Sequence, residues 1–176
     1  INVTMALTNG EWYYMTIKGC NPAGLCVIAS SDGVFVDTLP PVFVYVKDGE
    51  KECYHNVLDV KYIQQPHNDY VSCWLVEEPY SGIDHFEVGV GSAPYMYNYM
   101  PMTDVGLNHT IEKHEFLAGI NNTHVFTTVK AVSRSGLISF DADMNGLLFD
   151  TTPPIIGLVL DVPSNPNNMS YGSDID

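Results

Sequence analysis

The chain has 176 residues and a formal net charge of −14, from 21 acidic residues against seven lysines and arginines. Nucleic-acid binding needs clusters of lysine and arginine that contact phosphates, so these few scattered cations argue against it. The excess of carboxylates keeps a tyrosine-rich chain soluble or marks bound divalent cations. No apolar run approaches the roughly 18 residues of a spanning helix, so we expect no membrane span in this segment.

Short β-strands are predicted along the whole chain, each bounded by Gly, Pro, Asn or Asp. Alternating aromatic and β-branched residues are typical of strands with one buried face. The best helical candidate, residues 111–118, is expected to form a turn or so, and the prolines elsewhere oppose longer helices. Closely spaced short strands separated by turns predict an all-β fold built from antiparallel β-sandwiches. The strand candidates are residues 12–18, 42–46, 70–76, 86–90, 125–132 and 155–160.

The sequence contains an internal repeat. Residues 13–25 align with 125–137, about 112 positions later, and residues 34–41 recur as 147–154. Self-similarity at such a spacing is typical of an array of domains rather than of one globular enzyme. Both recurring segments end in paired prolines, which keep the chain extended and stiff. These prolines therefore predict linkers at residues 37–41 and 150–154 that restrict the angle between neighbouring domains.

The repeat divides the chain into three parts. Residues 1–40 correspond to the C-terminal part of a β-sandwich repeat, 41–154 to a complete repeat, and 155–176 to the start of the next. About 110 residues are enough for an independent core. The first part is expected to bury its apolar face against strands outside this sequence. Those strands either precede it in the same polypeptide or come from a neighbouring subunit by strand donation.

Cysteines and glycosylation sequons predict an extracellular, secreted location. The chain has four cysteines, and an even number fits disulfides formed in an oxidising compartment. Of the three pairings, we expect Cys20–Cys26, which flank a predicted hairpin loop, and Cys53–Cys73, which lie within one repeat. Asn-x-Ser/Thr sequons predict N-linked glycans. The sequon asparagines are Asn2, Asn108, Asn121 and Asn168.

Aspartates cluster near both predicted linkers. Calcium takes six to eight oxygen ligands, so carboxylates gathered at a domain boundary are candidate ligands that would stiffen the array. The alternative is turn chemistry and solubility, because Asp bonds its own backbone in turns. No spacing resembles an EF-hand loop, and no other metal or cofactor is predicted. The candidate calcium ligands are Asp37, Asp48, Asp150 and Asp161.

Residues 95–102 are unusually rich in tyrosine and methionine. Their alternation favours an ordinary strand with one buried face. Alternatively, Tyr95, Tyr97 and Tyr99 form an exposed contact patch, because tyrosine offers a large contact area at a low entropic cost. Both interpretations are open from the sequence.

Several short motifs follow one another along the chain. They are Tyr13-x-Met15-x-Ile17-x-Gly19-x-Asn21 with Ala23-Gly24-Leu25 and Ser30-Ser31-Asp32-Gly33, the looser copy Val125-x-Thr127-x-Val129-x-Ala131-x-Ser133, Trp74 followed by residues 81–91, and the linkers Asp37-Thr38-Leu39-Pro40-Pro41 and Asp150-Thr151-Thr152-Pro153-Pro154. Taken in order, these motifs resemble those of fibronectin type III-like domains, and the resemblance covers most of the chain. It implies tandem fibronectin type III or immunoglobulin-like antiparallel β-sandwiches, one complete and two partial. It also implies a tyrosine corner, in which the Tyr13 hydroxyl bonds the backbone near Leu7. No Arg-Gly-Asp signal is present.

The sequence therefore predicts a non-catalytic extracellular structural or adhesive segment. It would act as a spacer and contact surface in a long glycoprotein or fibre, with other subunits or further copies of the repeat as partners. The alternative is a ligand-binding module of a cell-surface receptor or carbohydrate binder. An enzyme is not expected, because no serine or cysteine lies in a nucleophile motif such as Gly-x-Ser-x-Gly.

Overall fold

The computed structural model describes residues 5–48, 62–64, 70–114, 120–150 and 152–157, with the backbone alone for 62–64. Within these ranges the chain forms β-strands and no helix. The strands are β1 Trp12–Tyr13, β2 Thr16–Cys20, β3 Cys26–Ser30, β4 Val34–Phe35, β5 Val42–Asp48, β6 Tyr62–Gln64, β7 Tyr70–Glu77, β8 Ile83–Gly91, β9 Met100–Gly106, β10 Thr110–Lys113, β11 Thr123–Ser133, β12 Ile138–Ala142 and β13 Leu147–Asp150.

Two sheets account for strands β5 to β13. One is three-stranded and antiparallel, in the order β10-β7-β5. The other has the order β6-β13-β11-β8-β9, with β12 also paired to β11. Its pairs are antiparallel except for the parallel pair β13–β6. This all-β arrangement fits the predicted β-sandwich.

The core lies between these two sheets. Trp74 of β7 and Phe86 of β8 are fully buried, and their rings meet edge to face with centroids 5.8 Å apart. Val125, Val129 and Ala131 alternate along β11 and are also fully buried. Alternation of this kind places one face of the strand against the core. The removal of these apolar side chains from water holds the two sheets together.

The predicted strands are largely present. Those at 42–46, 70–76, 86–90 and 125–132 lie within β5, β7, β8 and β11, each of which is longer than predicted. The strand predicted at 12–18 is divided into β1 and β2 by residues 14–15. Alternation alone does not reveal such a break, because the break follows from pairing: β1 pairs with β4, whereas β2 pairs with β3.

Two predictions are corrected. The helical turn expected at 111–118 is wrong at its start, because residues 111–113 belong to β10 and pair with β7. Residues 115–119 lie outside the described residues. The strand expected at 155–160 is absent from residues 155–157, and 158–160 lie outside the described residues.

The aligned repeat segments form hairpins of the same register. Cys20 pairs with Cys26 across β2 and β3, and their aligned residues Val132 and Ile138 pair across β11 and β12. Each turn contains a glycine, Gly24 in the first and Gly136 in the second, and both have a φ of +83°. Only glycine adopts this φ readily. This correspondence supports the alignment, while the domain boundaries at 40 and 154 stay predictions.

The two hairpins differ in what covers them. Ile17 on β2 is 59% exposed, whereas its aligned residue Val129 on β11 is fully buried. In the described residues β2 pairs with β3 alone, whereas β11 has strand partners on both edges. Ile17 shares one face of its hairpin with Gly19, Val27 and Ala29. One face of the β2–β3 hairpin is therefore apolar and exposed in the part of the chain that the structure describes.

Truncation of Phe86 tests the core. We expect Phe86→Ala to lower the free energy of unfolding by about 3–5 kcal/mol, because it leaves a cavity between the sheets. Chemical denaturation gives this value. Phe140→Ala is the matched control, since Phe140 is 49% exposed, and it should cost far less. Equal losses in both variants would contradict the core assignment.

Candidate functional site

The linker aspartate Asp37 forms the main polar contact between the first segment and the two-sheet unit. Its Oδ2 accepts hydrogen bonds from Ser81 Oγ at 2.5 Å and from Ser135 Oγ at 2.9 Å. Ser81 lies in the β7–β8 connection and Ser135 in the β11–β12 turn. We name this cluster of Asp37, Ser81 and Ser135 the Asp37 clamp. Three parts of the chain distant in sequence meet at one carboxylate.

The two loops that meet Asp37 are also tied to each other. Ser81 Oγ lies 3.3 Å from Ser135 Oγ, and Arg134 N donates to Gly82 O at 2.9 Å. Ser133 Oγ contacts Ser135 Oγ at 2.7 Å, inside the same turn. The sandwich therefore holds the hydroxyl groups of Ser81 and Ser135 next to each other, where both reach the Asp37 carboxylate.

The next linker residue, Thr38, is fixed to the opposite side of the junction. Thr38 N and Thr38 Oγ1 donate to Asn9 Oδ1 at 3.0 and 2.8 Å. Asp37 Oδ1 accepts from Leu39 N at 3.1 Å, which bends the chain toward the prolines. Consecutive residues of the linker thus bind the first segment and the sandwich.

An aromatic-lined cleft of about 420 Å³ lies beside the clamp. Trp12 is 56% exposed and packs on Phe35 with ring centroids 5.5 Å apart. Aromatic rings beside hydroxyl and guanidinium donors are a common lining of ligand-binding clefts. The lining residues of this cleft are Trp12, Phe35, Tyr80, Ser81, Arg134 and Ser135.

The clamp favours the ionised form of Asp37. Burial acts to raise the pKa of this carboxyl, but the hydrogen bonds from Ser81, Ser135 and the backbone outweigh it, so the pKa lies below its ordinary 3.8. Asp150, which aligns with Asp37, accepts from Thr152 N at 2.9 Å and from Thr152 Oγ1 at 2.6 Å. These bonds lower the pKa of Asp150 as well. Both predicted linkers therefore begin with the same aspartate turn.

The three candidate calcium ligands that the structure describes, Asp37, Asp48 and Asp150, are not part of a metal-binding cluster. Asp37 belongs to the clamp and Asp150 to its own turn, which fits the alternative of turn chemistry. Asp48 is buried at the end of β5, and Asp161 lies outside the described residues. Within the described ranges, no group of three or more His, Cys, Asp or Glu side chains is placed to hold a metal ion.

The strand predicted at residues 95–102 is wrong in its first part. β9 begins at Met100, and Tyr95 has a φ of +63°, which no strand residue adopts. A tight connection instead crosses β8, where a Cβ on Gly91 would overlap the Met96 carbonyl. Alternation in the sequence could not reveal this close approach.

The tyrosines of this connection have unequal exposure. Tyr95 and Tyr97 are 48% and 41% exposed, whereas Tyr99 is half-buried and packs against the core. Tyr95 N donates to Thr128 Oγ1 at 3.0 Å, which anchors the connection to β11. Two of the three predicted patch residues thus face solvent, and their role in contacts stays a prediction.

Two local ties predicted for the first segment are present. A disulfide joins Cys20 to Cys26, with their Cα atoms 4.1 Å apart across the hairpin. The hydroxyl of Tyr13 accepts a hydrogen bond from Thr8 N at 2.9 Å, next to the expected Leu7. Both ties stabilise a segment that has little core of its own.

The other predicted modification sites are described only in part. Cys73 is buried and disulfide-bonded, while Cys53 lies outside the described residues. Asn108 and Asn121 are exposed next to strand ends, where a glycan has room. Glycosylation stays a prediction at these two positions. The other two sequon asparagines, Asn2 and Asn168, lie outside the described residues.

Sequence reasoning missed the serines of the clamp. Ser81 and Ser135 each precede a glycine and an aliphatic residue, Ser81-Gly82-Ile83 and Ser135-Gly136-Leu137. This shared Ser-Gly-aliphatic pattern is the one feature of the sequence that could have indicated a common role for the two loops. The sequence does not show that both loops reach the linker, because that contact depends on the fold.

No protein-family model matches the chain, and no curated protein matches it either. Among the described residues, no helix has the length and apolar character needed to cross a membrane.

Titration of Asp37 tests the clamp. NMR should find its pKa below the ordinary 3.8, and Ser81→Ala or Ser135→Ala should raise it. Since the folded-state pKa is lowered, the stability that the clamp adds is present above pH 3.8 and is lost as the pH falls through the lowered value. Ser92→Ala, in a distant turn, is the control and should leave the pKa unchanged. An unchanged pKa in both clamp variants would contradict the assignment.

Proposed function

We propose that this chain is a segment of a non-catalytic extracellular structural or adhesive protein, built from tandem fibronectin type III-like repeats. In this role it spaces its neighbours at a fixed angle and offers surfaces for contact. The single observation that carries the proposal is the Asp37 clamp, which binds a linker residue to two loops of the following sandwich.

The clamp and the prolines restrict the junction in complementary ways. Pro40 and Pro41 limit the backbone angles of the linker, and neither has an N–H that could bond elsewhere. The clamp restricts the remaining rotation of the linker. Its two hydrogen bonds run from hydroxyl donors to a charged carboxylate, and such bonds are stronger than hydrogen bonds between neutral groups. A linker held on both sides transmits orientation from one unit to the next, as a spacer requires.

The recurrence of the linker supports an array. Asp150 begins the second linker with the same aspartate turn as Asp37. The aligned hairpins share register and turn conformation. The aspartate turn and the hairpin thus recur together with the sequence. Such recurrence is expected of an array, because similar units contact their neighbours through similar junctions.

The exposed hairpin supports a contact role. Ile17 and Val27 are 59% and 71% exposed on one face, while the aligned Val129 is fully buried within its sandwich. A free strand edge next to an apolar face favours the addition of further strands. The partners that fit this surface are other repeats of the same kind, either from the same polypeptide or from neighbouring subunits.

An extracellular location agrees with the disulfide chemistry. The Cys20–Cys26 bond is exposed on the hairpin, where a reducing cytosol would tend to open it. The exposed sequon residues Asn108 and Asn121 are accessible to glycosylation.

Removal of the Asp37 carboxylate tests the spacer role. We expect Asp37→Ala to loosen the junction and to increase the radius of gyration in small-angle X-ray scattering, because the linker loses both serine contacts. Asp32→Ala is the matched control, since Asp32 is an exposed aspartate of the same segment. Identical scattering from the wild type and Asp37→Ala would contradict a fixed junction.

Lysine substitutions test the contact surface. We expect Ile17→Lys and Val27→Lys to reduce self-association severalfold in sedimentation velocity, because each places a charge on the exposed apolar face. Thr16→Lys, on the opposite face of the hairpin, should associate like the wild type. A wild type that is already monomeric at high concentration would argue against this contact role.

A further inference from the structure

Two carboxyl groups are buried next to each other inside the sandwich. Asp48, at the end of β5, is fully buried, and Asp143, between β12 and β13, is 3% exposed. Both are hydrogen-bonded to Thr127 of β11: Thr127 Oγ1 donates to Asp48 Oδ1 at 2.7 Å, and Asp143 N donates to Thr127 O at 3.0 Å. In the described part of the chain, neither forms an ion pair with Lys, Arg or His. Burial of this kind is costly unless the charges are neutralised.

The hydrogen bonds around the pair leave one oxygen of each carboxyl without a donor. Asp48 Oδ1 accepts from Thr127 Oγ1 at 2.7 Å and from the Tyr70 hydroxyl at 3.1 Å. Asp143 Oδ1 accepts from Asn145 N at 2.9 Å. The remaining atoms, Asp48 Oδ2 and Asp143 Oδ2, are buried and have no donor in the described residues. Two acceptor atoms can bond to each other only through a proton.

We propose that Asp48 and Asp143 share one proton at neutral pH, held between their Oδ2 atoms, and that this proton latches the two sheets together. Asp48 Oδ2 donates and Asp143 Oδ2 accepts. One proton then satisfies both orphaned oxygens and removes one of the two buried charges. We name this arrangement the carboxyl latch.

The surroundings of the pair favour retention of the proton. Burial raises the pKa of Asp48 well above its ordinary value, and the neighbouring Asp143 raises it further. The titratable group that faces them from β7 is Tyr70, whose pKa is raised well above its ordinary value, chiefly by burial. Tyr70 therefore stays protonated and donates. From β11 the facing group is Thr127, which does not titrate.

The latch connects both sheets at one end of the sandwich. Asp48 and Tyr70 belong to the three-stranded sheet, while Thr127 belongs to the larger sheet. Asp143 N also donates to Thr127 O at 3.0 Å, which fixes the loop before β13. Loss of the proton would place two negative charges against each other where the sheets meet.

The direction of the pH dependence follows from the raised pKa. The unfolded chain releases this proton near the ordinary aspartate value of 3.8, whereas the folded chain keeps it to a higher pH. Above 3.8 the folded state therefore binds more protons than the unfolded state. The unfolding equilibrium constant should rise by up to about tenfold per pH unit until the folded chain also releases the proton.

Asp48→Asn is the sharpest test, because an amide mimics the protonated carboxyl. Its Nδ2 can donate to Asp143 Oδ2, and its Oδ1 can accept from Thr127 and Tyr70. We expect the unfolding equilibrium constant of this variant, measured from pH 5 to pH 9, to lack the rise of up to about tenfold per pH unit. The variant should therefore be more stable than the wild type at alkaline pH. Asp32→Asn, at an exposed aspartate, should keep the wild-type slope.

A second measurement, infrared spectroscopy, detects the protonated carboxyl directly. Infrared difference spectra of the folded wild type should contain a protonated carboxyl band at neutral pH, which Asp48→Asn and Asp143→Asn should each lack. Equal pH slopes in the wild type and Asp48→Asn, or no such band in the wild type, would overturn the proposal. Stabilisation of the wild type by calcium alone at neutral pH, lost in Asp48→Asn, would overturn it in favour of a cation.

Discussion

Strand β11 is the element on which the rest of the structure depends. Its 11 residues pair with β8, β12 and β13, so it holds together most of the larger sheet. Its buried face supplies Val125 and Val129 to the core. Between them, Thr127 reaches the buried carboxyl pair. The turn after the strand carries Ser135 to the linker. One strand therefore positions the core, the carboxyl latch and the Asp37 junction. Burial of Val125 and Val129 decides which side chains of this strand face the core.

The contrast between β11 and its aligned strand β2 explains how the chain is organised. Both strands belong to hairpins of the same register, but among the described residues a second sheet packs only on the apolar face of β11. The two-sheet unit is therefore held together by its core. The first segment is held together by a disulfide, a tyrosine contact and the linker. In the proposed spacer role, the rigidity of the junction at Asp37 would come from the sandwich that follows it, because Ser81 and Ser135 belong to that sandwich.

The sequence predicted what depends on local pattern. Alternation located β5, β7, β8 and β11, and the spacing of Cys20 and Cys26 predicted their disulfide. The strand expected at Tyr95 failed, because the chain crosses β8 at glycines that admit a close backbone approach. The clamp serines and Asp143 were missed, since their roles arise from contacts between distant segments. Alternation cannot show which loops converge or which carboxyls meet in a core.

Residual dipolar couplings of the backbone amides test the fixed junction most directly. Couplings from residues 5–40 and from residues 70–114 with 120–150 can be fitted separately to the structure in one alignment medium. A fixed junction predicts a single alignment tensor for both sets, with the same magnitude and orientation. Two tensors of clearly different magnitude would show that the segments reorient independently, and would contradict the account of the linker as a rigid spacer.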